Sequence, residues 1–394
     1  MGTARGLDPG PLSTYAHFLV RRVADQDRTV VLAGARDRYA FPVGAKGDPF
    51  TEWAAFLTKG QWSYGQLSYG LKDHVERLGS RHAPRWSFPL LWWALPERVV
   101  EVVGDAAFLY CPASDEAEAK AWAKKVISAP PESAPARLPD EWLRHTDRTA
   151  YMEALSRIQR HLLRGDIYEL NYCTERTATL PELDPYASFT RLMAGSSASF
   201  PAFYRHLDQF ALCASPERYL SFDGRLVRGE PMKGTRARSI DAREDARAAA
   251  ALAADEKERS ENVMAVDVMR NDLGRVAVPG SVQVPELFGI RSHPGVHQMV
   301  STIEARLADG MGPVQAVAAS FPMASMTGAP KIRAMQLIDE LEGMPRELFS
   351  GSLGFFDDRG RGDLNVMIRT VMYDAPTGHA SLITGSAITV MSDQ

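Results

Sequence analysis

The chain has 394 residues, 45% of them apolar, with 30 Gly and 25 Pro, about 14% together, which excludes a collagenous, low-complexity or wholly disordered protein. Lys plus Arg total 45 against 49 Asp plus Glu, a net charge of −4 with no long single-sign block, so a nucleic-acid partner is not expected. The length allows one large domain or two, with a sizeable buried core.

The richest apolar run, Phe88 to Leu95, is interrupted by Pro89 and stopped by Pro96, short of the roughly 18 residues of a membrane span. Met1 to Ser13 carries Gly, Asp and Pro where a secretory signal places its apolar core, so the chain reads as soluble and cytoplasmic. Cys111, Cys173 and Cys213 form no CxxC pair and read as reduced thiols.

In chain order, residues 28–127 read as mixed short strands and helices: RTVVLAGA (28–35), TEWAAFLTKG (51–60), QWSYGQLSYGLKDH (61–74) and the aromatic stretch 86–104, then an Ala/Lys/Glu-rich helix from Glu116 to Ile127. Pro130, Pro131, Pro135 and Pro139 mark an extended linker, dividing the chain into an N-terminal subdomain with linker (1–147) and a second unit (148–394). Asp147 is placed to cap a helix with Tyr151, Leu155, Ile158 and Leu162 on one face and Gly165 as its stop. Strands are expected at 167–180, 198–207, 209–215 and 218–229, the last as hairpin arms around Asp223-Gly224. Asp241 to Asp272 reads as the longest helical tract, with Glu258 and Glu261 on one face. In the final third, Ser301–Ala308, Pro313–Phe321 and Pro330–Glu342 look helical, while GSLGFFD, LNVMIRTVMYD and ASLITGSAITV look like strands. Strand runs with clustered helices, rather than strict βαβ alternation, favour an α+β fold.

Four segments hold polar residues that a core would not choose. Glu217, in Ser215-Pro216-Glu217-Arg218, stands where one apolar strand gives way to the next, either paired with an Arg or as a general acid of raised pKa. Lys233, in Glu230-Pro231-Met232-Lys233-Gly234-Thr235-Arg236, is presented at a turn as a surface cation or a nucleophile; the spacing is not that of a P-loop. Glu258 and Glu261 are either solvated or a hard-cation site suited to Mg²⁺. Thr327-Gly328 ahead of a helix, Arg369, and Gly385-Ser386-Ala387 are anion holders suited to a substrate bearing carboxylates. His293 and His297 form HxxxH, but Pro294-Gly295 breaks the helix that a zinc pair needs.

Taken in order, GDIYELNYCTE, SPERYLSFDG, PMKGTRAR, EKERSENVMAVDVMRNDLGRV, VHQMVSTI, MTGAPKIRAMQLIDELE, GSLGFF and GDLNVMIRT resemble the chorismate-utilising enzymes, strongly over 148–394 and more weakly upstream. The resemblance implies a large layered β-sandwich with surrounding helices, the fold of anthranilate synthase, and a catalytic unit at 148–394. Members that add water to chorismate carry a base Lys where this chain has Glu169, and anthranilate-forming members carry Ala where it has Lys233. A Lys there, 16 residues after the glutamate of SPE, is similar to the aminodeoxychorismate-forming branch. The implied reaction turns chorismate and ammonia into 4-amino-4-deoxychorismate for p-aminobenzoate and folate synthesis, Glu217 acting as acid and Lys233 as covalent nucleophile. It also implies His297 near the ring, Mg²⁺ on Glu258 and Glu261, and substrate contacts from Gly234, Thr235, Thr327, Gly328, Arg369, Gly385, Ser386 and Ala387. With no glutaminase constellation visible, a separate glutamine amidotransferase partner is expected as the ammonia source. Phe349 replaces a substrate-contacting Tyr, Ala387 replaces a Gly, and the family's pattern extends past Gln394 into a helix bearing another metal-binding Glu and a carboxylate-binding Lys. Anthranilate synthesis and a non-catalytic chorismate-binding subunit are the alternatives.

Overall fold

Strand His17–Val23 turns Leu19 and Val23 to one side and Phe18 and Val20 to the other, and all four are buried, so its sheet is covered on both faces. The computed structural model describes residues 7–8, 10–57, 60–128, 142–196 and 198–392; the Pro-rich stretch expected as a linker lies at 129–141, outside the described residues.

Two antiparallel sheets carry the chain. The first has 11 strands, ordered Gly328–Ala329, Glu169–Thr179, His379–Thr389, Thr370–Asp374, Gln209–Cys213, Ala202–His206, His17–Val23, Arg28–Ala33, Arg98–Val103 and Ala106–Tyr110, with Leu143–Arg144 also on Glu169–Thr179. The second has 10, ordered Met232–Ala237, Val296–Arg306, Leu226–Gly229, Arg218–Asp223, Gly362–Asn365, Ser352–Phe356, Ser63–Leu67, Leu91–Leu95 and Asp37–Phe41, with Gln283–His293 also on Val296–Arg306. Segments from either side of residue 148 pair within both sheets.

The sheets stack on an aromatic core. Leu19, Leu32 and Tyr204 of the first share a core with Tyr64 and Trp92 of the second; the Tyr204 and Trp92 ring centres lie 6.3 Å apart, and His17 stacks on Trp92 at 4.6 Å. Burying each such large apolar side chain contributes about 1.5–3 kcal/mol. Outside the first sheet, Phe203 packs on Phe189 of helix Pro185–Ala194, while Trp122 and Val126 of helix Glu116–Val126 join the same cluster. Outside the second lie Val266 and Met269 of helix Glu256–Gly274 and Val317 of helix Pro313–Ser320. Helix Arg148–Arg164 is capped by the Asp147 side chain and stopped by Gly165 at φ 77°, and its apolar face meets Leu170 and helix Lys331–Leu341. No helix among the described residues is long and apolar enough to cross a membrane.

Three expectations need correction. Ser301–Ala308 is not helical: Met299, Ile303, Ala305 and Leu307 are buried at even spacing, a strand period, and 296–306 is paired on both sides. The tract 241–272 is two helices, Ala242–Ala254 and Glu256–Gly274. Asp255 takes an extended conformation between them and its carboxylate accepts from the amides of Lys257 and Glu258, ending one helix and capping the next. LNVMIRTVMYD is two strand ends in different sheets, because residues 366–369 cross from the second sheet to the first.

Candidate active site

Two crossings between the sheets run side by side. The chain passes from the first sheet to the second through Ala214–Glu217, and returns through Val366–Arg369. The amide of Val366 donates to the carbonyl of Glu217 at 3.1 Å, and that of Ala214 to the carbonyl of Arg369 at 3.0 Å. Arg369 sits at φ 51°, an uncommon left-handed conformation outside glycine, which the paired crossings hold in place. Beneath, the buried Arg218 side chain binds Asp363 at 2.8 Å, Asp25 at 2.7 Å, and Glu230. The partner that the Glu217-Arg218 sequence suggested for the glutamate is thus used elsewhere.

Glu217 is 4% exposed, and burial pushes its carboxyl up to about 7; the Ser325 hydroxyl, the Lys233 charge, the Met232 amide and Arg369 oppose the rise. Desolvation favours the neutral acid, so the group holds and gives a proton near neutral pH. Burial also lowers the pKa of Arg369, with Glu217 opposing that shift.

Lys233 lies in edge strand Met232–Ala237 with its side chain 8% exposed, and its Nζ donates to Glu169 Oε1 of the first sheet, itself 3% exposed. Breaking such a buried pair by removing one partner costs about 3–5 kcal/mol. Two glycines allow the close approach. Gly234, at φ 88°, would place a Cβ 3.0 Å from Glu258 Oε2, close enough that the Glu258 side chain would have to shift. Gly328, at φ 143°, would place one 2.1 Å from the carbonyl oxygen of Glu169. The site is therefore a seam between the sheet edges, closed by helix Glu256–Gly274.

On that helix Glu261 is 6% exposed and Glu258 half-buried. Burial raises the pKa of Glu261, Lys233 opposes this, and Glu169 and Glu258 add to it. Glu261 Oε1 is buried without a hydrogen-bond partner, its nearest cation being Lys257 Nζ at 3.8 Å. An orphaned buried carboxylate oxygen with a second carboxylate one turn away suits a hard cation with oxygen ligands. Among the described residues, no three or more His, Cys, Asp or Glu side chains converge as a metal-holding group.

The remaining candidates are placed unevenly. Gly385, Ser386 and Ala387 lie in strand His379–Thr389 opposite Cys173, Tyr172 and Asn171, with Gly385 and Ser386 exposed. Thr327 is buried; its hydroxyl donates to the Met323 carbonyl at 3.0 Å and its carbonyl accepts from the Asn171 amide at 2.9 Å. Thr235 is exposed beside Gly234. His297 is buried with both ring nitrogens engaged, Nδ1 by the Ser292 hydroxyl at 2.8 Å and Nε2 by Asp245 at 2.9 Å, and it contacts neither Glu217 nor Lys233 by hydrogen bond. Pro294 and Gly295 form the turn between strands Gln283–His293 and Val296–Arg306, as the Pro294-Gly295 break implied.

Sequence reasoning assigned no site role to two features. Glu169 was read only as the absence of a water-activating Lys, yet it is the partner of Lys233. Arg346 is fully buried; it pairs with Glu342 at 2.6 Å and donates to the carbonyls of Met326 at 2.5 Å and Asn171 at 2.8 Å, fixing the Thr327-Gly328 loop to its strand. Its Arg/Glu spacing of four on a short turn was visible, but its carbonyl partners were not.

The chain belongs to the chorismate binding enzyme family, whose model matches residues 21–394. It is similar to aminodeoxychorismate synthase component 1 of Salmonella typhimurium, 41% identical over 264 residues that make up 67% of this chain and 58% of that one. The chain thus spans less than two thirds of that relative's length. An anthranilate synthase component I-like protein of Synechocystis is 32% identical over 339 residues, 85% of this chain and 69% of the relative. The crystal structure of anthranilate synthase component I from Streptococcus pneumoniae superposes with a TM-score of 0.83 at 21% identity, covering 93% of this chain and 88% of that one, and establishes the shared fold.

Proposed function

We propose that this chain converts chorismate and ammonia into 4-amino-4-deoxychorismate. The observation that carries the reading is the buried Lys233 amine beside a buried Glu217 whose pKa is pushed up to about 7. The C4 hydroxyl of chorismate leaves poorly unless protonated, and a positioned amine splits one hard displacement into two easier ones. Glu217 gives its proton to the C4 oxygen, which departs as water while Lys233 Nζ bonds to C2. Ammonia then bonds to C4, Glu217 recovers a proton from the new ammonium, and lysine departs from C2. Arg369, beside Glu217, and the exposed Gly385 and Ser386 are the candidates for holding carboxylates of the substrate, with Gly234, Thr235, Thr327, Gly328 and Ala387 shaping its walls. His297 is assigned by Asp245 and Ser292 to a fixed orientation at the rim.

Glu261, with Glu258, would hold Mg²⁺, whose charge would neutralise a substrate carboxylate. The relative from Salmonella is named component 1; we assign to this chain, likewise, a separate glutamine amidotransferase as ammonia source. The test is incubation of the purified chain with chorismate, Mg²⁺ and ammonium. A product that an added lyase turns into p-aminobenzoate supports the reading, and fluorescent anthranilate with pyruvate release overturns it. Binding of chorismate without turnover would indicate a non-catalytic subunit. Lys233→Ala is expected to abolish the aminated product.

A further inference from the structure

Lys233 meets one carboxylate directly and three more through space. Its Nζ is hydrogen-bonded to Glu169, from strand Glu169–Thr179. Glu258 and Glu261, with Lys257 among them, face the same space from helix Glu256–Gly274, and Glu217 does so from the crossing, with Arg369 behind it. A lysine attacks only as the free amine, so its proton needs an acceptor within the closed site. Glu217 is committed to the C4 oxygen. Glu258 and Glu261 are assigned above to holding Mg²⁺. Among the described residues, Glu169 alone is hydrogen-bonded to the nitrogen.

We infer that Glu169 is a catalytic proton shuttle for Lys233, an inference that rests on Lys233 being the nucleophile. In the first half, the Glu169 carboxylate takes a proton from the Lys233 ammonium. The freed electron pair forms the bond from Nζ to C2, the two ring double bonds shift by one position each, and the C4–O bond breaks, the oxygen leaving as water with the proton of Glu217. In the second half, ammonia forms the C4–N bond, the double bonds shift back, and the C2–N bond breaks with its electron pair returning to lysine. Glu217 takes one proton from the C4 ammonium, and Glu169 returns its proton to the lysine amine. The sum is chorismate plus ammonia giving the aminated product plus water, with both glutamates restored. Position 169 thus carries a carboxylate because position 233 carries the amine.

The test is rapid mixing with chorismate and Mg²⁺ without ammonia, followed by acid quench and mass analysis of the Lys233 peptide for a gain equal to chorismate less water. Glu169→Gln keeps the shape and a hydrogen-bonding oxygen but accepts no proton. Its adduct is expected to form roughly 10²-fold more slowly at pH 7 and, between about pH 5 and 7 where Glu217 keeps its proton, to form faster as pH rises, because the ammonium must then lose its proton to water. Wild type is expected to hold its rate over that range and to slow above neutrality as Glu217 ionises. Glu169→Asp, a carboxylate one methylene shorter, is expected to restore part of the rate with the wild-type direction of pH dependence. Adduct formation by Glu169→Gln within twofold of wild type and with the same pH profile overturns the inference. Circular dichroism and thermal unfolding report whether each variant folds; if Glu169→Gln does not, the wild-type direction of pH dependence in Glu169→Asp decides. A wild-type chain that gives no Lys233 adduct but does aminate chorismate refutes the nucleophile reading itself, and the shuttle with it.

Discussion

Replacing Glu217 by Gln separates the burial of a carboxyl from its chemistry. The pKa rises from 4.5 in the free side chain to about 7 in the fold, about 2.5 units, equivalent to about 3 kcal/mol at about 1.4 kcal/mol per unit. A carboxyl raised on folding keeps its proton in the native state after the unfolded chain has released it. Native stability is therefore lost as pH rises from 4.5 through 7, and the loss is complete above the folded value. Gln carries no such penalty. Glu217→Gln is expected to be more stable than wild type by about 3 kcal/mol at pH 8, shrinking below about 1 kcal/mol at pH 5. An unfolding entropy of about 2.1 cal/mol/K per residue gives about 0.8 kcal/mol per degree for a chain this long, so the gain in Tm is about 4 °C at pH 8 and about 1 °C at pH 5. Adduct formation should meanwhile fall by roughly 10²–10⁴-fold at pH 7 through loss of the acid. Thermal melts of both proteins at the two pH values, with quenched adduct assays, check this. An equal difference in Tm at pH 5 and pH 8 would refute a raised carboxyl, whatever the effect on rate.

Three further outcomes follow from other contacts. Glu261→Gln removes an orphaned buried carboxylate oxygen; Mg²⁺ is expected to raise the Tm of the wild-type chain and not that of the variant, and an equal Mg²⁺-dependent shift in both would refute the ligand assignment. Arg346→Met leaves Glu342 buried without its partner, costing about 3–5 kcal/mol by urea unfolding; the freed Met326 and Asn171 carbonyls should also raise KM for chorismate more than they lower kcat. Gly328→Ala drives a Cβ to 2.1 Å from the Glu169 carbonyl in a conformation at φ 143°; it should destabilise by more than about 2 kcal/mol and displace Glu169, so a variant of wild-type stability and rate would show that the seam is looser than described.

The parts of the fold legible in the sequence were those fixed by local periodicity. Helix Arg148–Arg164 was readable because cap, apolar stripe and glycine stop lie within 19 residues of one another. The hairpin at Asp223-Gly224 was readable because its arms are adjacent. Ser301–Ala308 was misread because its apolar alternation there is only Ile303, Ala305 and Leu307 around Glu304 and Arg306, too short a run for periodicity to separate strand from helix. Asp255 was passed over because an aspartate between two Ala- and Glu-rich runs has the same composition whether it lies inside a helix or caps one. In the site, Glu217 and Lys233 stood out as charges at the end of an apolar strand and beside a glycine, whereas Glu261, in a run with Lys257, Glu258 and Arg259, was marked by its spacing from Glu258 and by the family resemblance. Glu169 did not, since its meaning depends on a contact 64 residues away, and spacing within one segment cannot report it.

The two carboxyls proposed as acid and base, Glu217 and Glu169, differ in how the fold treats their charge. Glu217 enters on a crossing between sheets, where the only direct cation in its own segment, Arg218, is consumed by Asp25, Glu230 and Asp363. It is left to desolvation, which keeps it protonated near neutrality. Glu169 enters on a strand of the first sheet and is met at once by the ammonium of Lys233 from the edge of the second. Acid and base roles are set apart by environment, although both residues are glutamates and both are buried. The assignment also explains why the site needs both sheets. A single sheet places its neighbours by cross-strand pairing, whereas a seam lets one carboxyl face apolar core and the other a cation from the opposite layer. The three carboxylates spent on Arg218 and Arg21, namely Asp25, Glu230 and Asp363, the last at 2.5 Å from Arg21, tie that seam together. Neutralising Asp363 should therefore shift the pH at which Glu217 ionises downward by removing one of the three anions that offset the Arg218 charge, even though the two carboxylates share no hydrogen bond, and the pH range over which Glu217 costs the native state stability is where that coupling is to be read.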